Sequence, residues 1–207
     1  MTKLGMHKGF NAKQRLLSSI AFISLSLGLA FSAQASVPSN KVYDTGEPIE
    51  KPMIMSRFVE MSAARQVPDV SFSDTKGDSV SLKQFDGKVV LVSLWATWCS
   101  PCIKEIPQME AIRQANINND LIVLPISIDE ESDKVAAFLE RHDLGYYQTW
   151  LDPKMNIGQV MPADIVPATY VFDGSGNLIG FLRGYLDWSD KEIQPYLEKL
   201  INKYAKR

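Results

Sequence analysis

Val89-Val90-Leu91-Val92-Ser93-Leu94-Trp95-Ala96-Thr97-Trp98-Cys99-Ser100-Pro101-Cys102 is the stretch that decides the fold. Val89 to Trp95 is a nearly unbroken apolar run of strand length, the pattern of a central strand covered on both faces. Directly after it, Ile103, Ile106, Met109 and Ile112 recur at spacings of three over 101–115, which predicts one helix with a kink at Pro107. The strand-to-helix junction therefore holds both cysteines of the chain.

Working outward, Val70–Ser73 and Ser79–Leu82 flank a turn at Asp74-Thr75-Lys76-Gly77 and read as a small hairpin. Leu121–Ile128 is a second buried strand, and Ser132 is placed to cap a helix reaching about His142. Tyr146–Leu151 is a weaker strand and Pro153–Val160 a short helix. Ala168–Phe172 and Asn177–Arg183 form two strands joined by Asp173-Gly174-Ser175-Gly176, and Ser189 caps a last helix to Tyr204 despite Pro195. Upstream, residues 36–52 read as an extended lead-in, and Met53–Arg65 has apolar residues at helical spacing. Its three methionines are read as packing rather than copper ligands. The order predicts an α/β fold with a mixed central sheet and helices on both faces.

The chain has 207 residues, 22 Lys+Arg against 24 Asp+Glu, and 45% hydrophobic residues, a globular composition with no basic footprint for nucleic acid. Residues 1–35 read as a secretory signal peptide: Lys3, Lys8, Lys13 and Arg15, then an apolar stretch from Leu16 to Phe31, then Ala33-Gln34-Ala35. The alternative, a retained anchor over 16–31, falls short of the roughly 20 apolar residues of a spanning helix. Losing those four basic residues leaves 18 Lys+Arg against 24 Asp+Glu, an acidic exported protein, periplasmic or otherwise outside the cytoplasm. The expected organisation is signal peptide 1–35, N-terminal extension 36–66 and one domain over 67–207.

Cys99 is expected at the N-terminus of the helix, where unpaired N–H groups and the dipole favour a thiolate. Cys102, one turn further in, is shielded and placed to resolve a mixed disulfide. Pro101 fits the first helical turn because it has no N–H to lose. A zinc site needs further ligands, and beyond the leader the chain offers only His142. A purely structural disulfide closing so short a loop would constrain little of the unfolded chain. No metal or cofactor is expected, and His142 is given no role.

With these residues in place, the chain resembles the thioredoxin superfamily, and more narrowly the TlpA/ResA-type exported thiol–disulfide oxidoreductases. The resemblance is carried by residues 87–107, from Gly87-Lys88 through Trp98-Cys99-Ser100-Pro101-Cys102 to Ile106-Pro107. A second block is Val166-Pro167-Ala168-Thr169-Tyr170-Val171-Phe172-Asp173, followed by Gly176. It spans about 67–203 and implies a thioredoxin-like fold with an N-terminal hairpin extension and a central insertion near 129–160. It also implies a redox-active disulfide between Cys99 and Cys102, with Pro167 as a cis-proline facing it. Val166 is then expected to offer its backbone to an extended substrate strand, with Trp98 shaping the surface beside Cys99. Glu105 matches a glutamate that manages protons during exchange, and burial is expected to raise its pKa. Thioredoxins carry a buried Asp at the position of Ser93, a task serine cannot perform.

The resemblance further implies reduction of disulfides in exported proteins, apocytochrome c among them, fed by a membrane thiol–disulfide donor. The chain lacks the Pro-Glu-Thr stretch usual in the cytochrome-maturation branch, having Val160-Met161-Pro162-Ala163-Asp164-Ile165 instead. Ser100-Pro101 keeps the proline of reducing members and lacks the histidine of strong oxidants. The alternatives are a disulfide-forming oxidant of the same fold and a periplasmic copper-binding chaperone. Val92 and Ala96 stand where a peroxiredoxin would need Pro and Thr.

Overall fold

In the computed structural model, residues 40–207 are described. The expected leader, with the first residues of the extension, lies outside them. The described strands are β1 (Lys41–Asp44), β2 (Val59–Arg65), β3 (Ser71–Ser73), β4 (Ser79–Ser81), β5 (Val89–Trp95), β6 (Leu121–Ser127), β7 (Trp150–Leu151), β8 (Ala168–Phe172) and β9 (Leu178–Arg183). The helices are α1 (Ser100–Ala115), α2 (Asp133–Arg141) and α3 (Ile193–Tyr204).

All seven residues of β5 are buried, which matches its apolar run and requires cover on both faces. It runs parallel to β6, from Val89 opposite Leu121 to Trp95 opposite Ser127. On its other side it pairs antiparallel with β8, from Val90 opposite Phe172 to Leu94 opposite Ala168. Burying each Val or Leu contributes about 1.5–3 kcal/mol. The full order is β1-β2-β9-β8-β5-β6-β7-β3-β4, a mixed sheet of thioredoxin-like type. The β3–β4 hairpin sits at the β7 edge, whereas β2, from the extension, pairs antiparallel with β9.

Several expectations are corrected. Met53–Arg65 is not a helix: Met53–Met55 makes a single 3-10 turn and Val59 onward is strand β2. Pairing with β9, distant in sequence, outweighs the local spacing. Ser132 makes no side-chain cap to α2, and the last helix begins at Ile193 because Ser189 instead bonds Asp187. The strand expected over Tyr146–Leu151 shrinks to Trp150–Leu151. The short helix expected from Pro153 is a 3-10 turn over Asn156–Gln159, its first amides bonded by the buried Asp152 carboxylate at 2.9 and 2.7 Å.

Candidate active site

Strand β5 ends at Trp95, and the chain turns through Ala96–Trp98 into α1. Asp129, buried two residues beyond β6, fixes that turn: its carboxylate accepts from the Thr97 N–H at 3.0 Å and from the Thr97 hydroxyl at 2.6 Å. Cys99 is the N-cap of α1 in an extended conformation, and its Sγ accepts from the Cys102 N–H at 3.2 Å. Cys99 and Cys102 are joined in a disulfide, with Cα atoms 5.3 Å apart. Both are buried, Cys99 retaining 4% exposure and Cys102 1%. The expected contrast between an open and a shielded sulfur is therefore small in the oxidised form.

Trp98, beside them, is 67% exposed. It lines a groove of about 450 Å³ with Ile128, Glu130, Met155 and Asp164. The Val166–Pro167 peptide bond is cis, as the second motif implied. Val166 is half-buried, and its backbone N–H and C=O make no hydrogen bond among the described residues.

Glu105 lies one turn beyond Cys102 on α1 and is only 3% exposed. Its Oε1 accepts from the Leu186 N–H at 2.7 Å. Burial pushes its carboxyl up to about 7, against the lowering pull of that bond, of the Trp188 indole and of the Arg57 charge. The Trp188 Nε1 has no partner of good hydrogen-bond geometry, so its pull on the carboxyl is the weaker kind. Ser93 is buried, and so is Tyr147 of the central insertion. Burial raises the Tyr147 phenol, and the Glu105 charge raises it further. One turn beyond the cysteines, α1 thus holds one buried carboxyl poised near neutrality.

Trp95 is packing, as expected: its ring meets Tyr147 edge-on at 6.0 Å, and its Nε1 bonds the Thr149 hydroxyl at 2.9 Å. His142 stacks on Phe138, with ring centroids 4.3 Å apart, away from the cysteines in its contacts. Among the described residues no cluster of three or more His, Cys, Asp or Glu side chains is placed to hold a metal. Sequence reasoning did not find Tyr147, Leu186, Trp188 or Arg57. Each reaches the site only through loops folded back from distant positions, and none carries a motif.

Residues 63–180 match the family model described as the AhpC/TSA family. The chain belongs to the AhpC/TSA family. Among curated relatives, thiol-disulfide oxidoreductase ResA of Bacillus cereus is 26% identical over 145 residues, covering 70% of this chain and 82% of that protein. Thioredoxin-like protein YneN of Bacillus subtilis is 35% identical over 121 residues, 57% of this chain and 69% of its own length. Among solved structures, a protein titled a putative thiol:disulfide interchange protein DsbE, from Chlorobium tepidum, aligns with a TM-score of 0.59. It has 20% identity and covers 67% of this chain and 96% of that one, a likeness of fold. Within the family, this chain is an enzyme of the thiol–disulfide oxidoreductase class.

Proposed function

We propose that the chain is an exported reductase of protein disulfides, cycling Cys99 and Cys102 between dithiol and disulfide. The observation that carries this reading is Cys99 at the N-cap of α1, its sulfur accepting the Cys102 N–H. That position stabilises a thiolate on Cys99 and leaves Cys102 as the resolving thiol.

In the reduced enzyme the Cys99 thiolate attacks one sulfur of the substrate disulfide. The other substrate sulfur leaves as a thiolate and takes a proton from solvent, and a mixed disulfide forms. Glu105 then accepts the Cys102 proton, and the Cys102 thiolate attacks Cys99 Sγ. The bond from Cys99 to the substrate breaks, the second substrate sulfur leaves and is protonated, and the enzyme disulfide closes. Two electrons pass from the enzyme to the substrate, and Glu105 returns its proton to solvent. During docking, the unengaged backbone of Val166 pairs with an extended substrate segment beside Pro167, and Trp98 covers its flank.

The substrates on this reading are exported proteins with accessible disulfides, apocytochrome c among the candidates. The oxidised enzyme is returned to the dithiol by a membrane thiol–disulfide donor, because the reducing electrons originate inside the cell. Export rests on the 1–35 leader, with a retained anchor over 16–31 as the alternative; among the described residues no helix is long and apolar enough to cross a membrane.

The deciding experiment is the two-electron reduction potential of the pair near pH 7. A value near thioredoxin's, about −270 mV, supports the reductase, while one near DsbA's, about −120 mV, assigns a disulfide-forming oxidant. Alongside it, Cys102→Ser is expected to accumulate the mixed disulfide with a peptide disulfide, and Cys99→Ser to form none.

A further inference from the structure

The segment from Arg183 to Trp188 touches the site at the cis-proline and along α1. The Gly184 N–H donates to the Pro167 carbonyl at 2.8 Å, tying the segment to the cis-proline. The Leu186 N–H donates to Glu105 at 2.7 Å, and the Trp188 N–H to Gln108 Oε1 at 3.0 Å, also on α1. Gln108 returns a bond from Nε2 to Asp187 at 2.9 Å. Gly184 has φ +83, a conformation that side chains rarely adopt, so a glycine suits this turn. The carbonyls on either side of this glycine, of Arg183 at the end of β9 and of Tyr185 beyond it, are met by a side-chain donor.

Arg57 is that donor. It lies between the Met53–Met55 turn and β2, within the extension, more than 120 residues away in sequence. Its Nη1 donates to the Arg183 carbonyl at 3.3 Å and its Nη2 to the Tyr185 carbonyl, one on each side of Gly184. A Cβ added to Gly184 would come within 3.4 Å of Nη1, so the guanidinium lies close over the turn. The planar fork of arginine reaches both carbonyls at once, which the point charge of a lysine does not reproduce.

We propose that Arg57 is a positioning residue for the disulfide site: it clamps the turn around Gly184 and so fixes the Leu186 N–H on Glu105. The inference rests on the reading of Glu105 as the proton acceptor for Cys102. The groups that bear on the Glu105 carboxyl are Arg57 from the extension, Tyr147 from the insertion, and the Leu186 N–H and Trp188 indole from the clamped segment. Arg57 is the cation among the influences on Glu105. Because its side chain is exposed, salt is expected to weaken its effect.

The test combines amide hydrogen exchange at Gly184 and Leu186 with two further readouts, all on the full chain. One is the pH dependence of single-turnover oxidation of the reduced protein by a synthetic peptide disulfide, in wild type, Arg57→Ala, Arg57→Lys, Glu105→Gln and the Arg57→Ala/Glu105→Gln double variant. The other is a direct NMR titration of the Glu105 carboxyl in wild type and both Arg57 variants. Arg57→Ala is expected to move the Glu105 midpoint upward by roughly half a unit to one unit. Arg57→Lys is expected to move it less, and to speed amide exchange at Gly184 and Leu186 nearly as much as Arg57→Ala. The rate profile should follow the same shift, which should shrink in high salt and vanish in the double variant. An unmoved Glu105 midpoint in Arg57→Ala overturns the inference. A rate transition that persists in Glu105→Gln overturns the proton-acceptor reading instead, and the NMR midpoint then still decides whether Arg57 sets the carboxyl.

Discussion

Strands β2 and β5 are both seven residues long and lie in the same sheet, yet they are held by different forces. Every residue of β5 is buried, whereas β2 has one buried apolar residue, Ala64. Strand β2 depends on Glu60, whose side chain is 2% exposed and whose carboxylate takes bonds from Lys203 Nζ at 2.6 Å, the Tyr204 hydroxyl at 2.5 Å and the Ile49 N–H at 2.7 Å. The cysteine loop grows from the strand fixed by close packing, which resists displacement during bond exchange. Polar ties hold the strand that follows Arg57, so the charge near the site can vary without repacking the core.

That contrast can be broken most directly at Leu94, wholly buried in β5. Leu94→Ala is expected to cost about 2–5 kcal/mol in urea unfolding of the oxidised protein. A loss under about 1 kcal/mol would mean that β5 is not the packed frame proposed.

The next effect concerns a charge kept inside that frame. Burial raises the Glu105 carboxyl from its ordinary 4.5 to about 7. Below about pH 4.5 it is neutral in both folded and unfolded chains, so it carries no penalty. As pH rises from about 4.5 to 7 the unfolded chain ionises first, and native stability falls, levelling at a loss of about 3 kcal/mol. Glu105→Gln should therefore match wild type at pH 4 and exceed it by about that amount at pH 8, read from denaturant midpoints. A gap that does not change with pH would sink this account.

The smaller effects lie on β2 and sharpen the comparison. Glu60→Ala removes the shared acceptor of three donors and is expected to cost about 2 kcal/mol. Val59→Ala, at a side chain 43% exposed, should stay within about 0.5 kcal/mol. Equal losses at the two positions would show that β2 is held by apolar contact after all.

Legibility in the sequence follows the same division. β5, α1, β6 and the β8–β9 hairpin were readable because burial imposes a continuous apolar run or a spacing of three, and Gly174–Gly176 marks the turn. The Cys99–Cys102 disulfide, the burial of Glu105 and the cis bond before Pro167 agree with what the motifs implied. β2 was misread because Met55 and Phe58 sit at helical spacing while their burial is decided by packing across the fold; Phe58, for one, meets Tyr196 of α3 at 6.0 Å. Ser132 and Ser189 have the right residue type for caps, but Ser189 bonds Asp187 and Ser132 adopts a helical backbone. Leu186 bonds Glu105, and Arg57 the Arg183 and Tyr185 carbonyls, through chain reversals, and reversals leave no periodicity to detect.

The register of the sheet also orients the chain's points of attachment. Lys41 pairs with Arg65, Arg65 with Leu178, Leu178 with Phe172 and Phe172 with Val90, which places the entry to β1 at the start of β5. The Tyr43 hydroxyl fastens it there, bonding Asp173 at 2.6 Å, and Gly174 N–H bonds the Tyr204 carbonyl at 2.9 Å near the last helix's exit. The cysteines stand at the opposite end of β5. A tether joined ahead of residue 40 or a tag added after residue 207 therefore meets the molecule at its far pole. A copy immobilised by either route would present its disulfide outward, toward whatever approaches from solution.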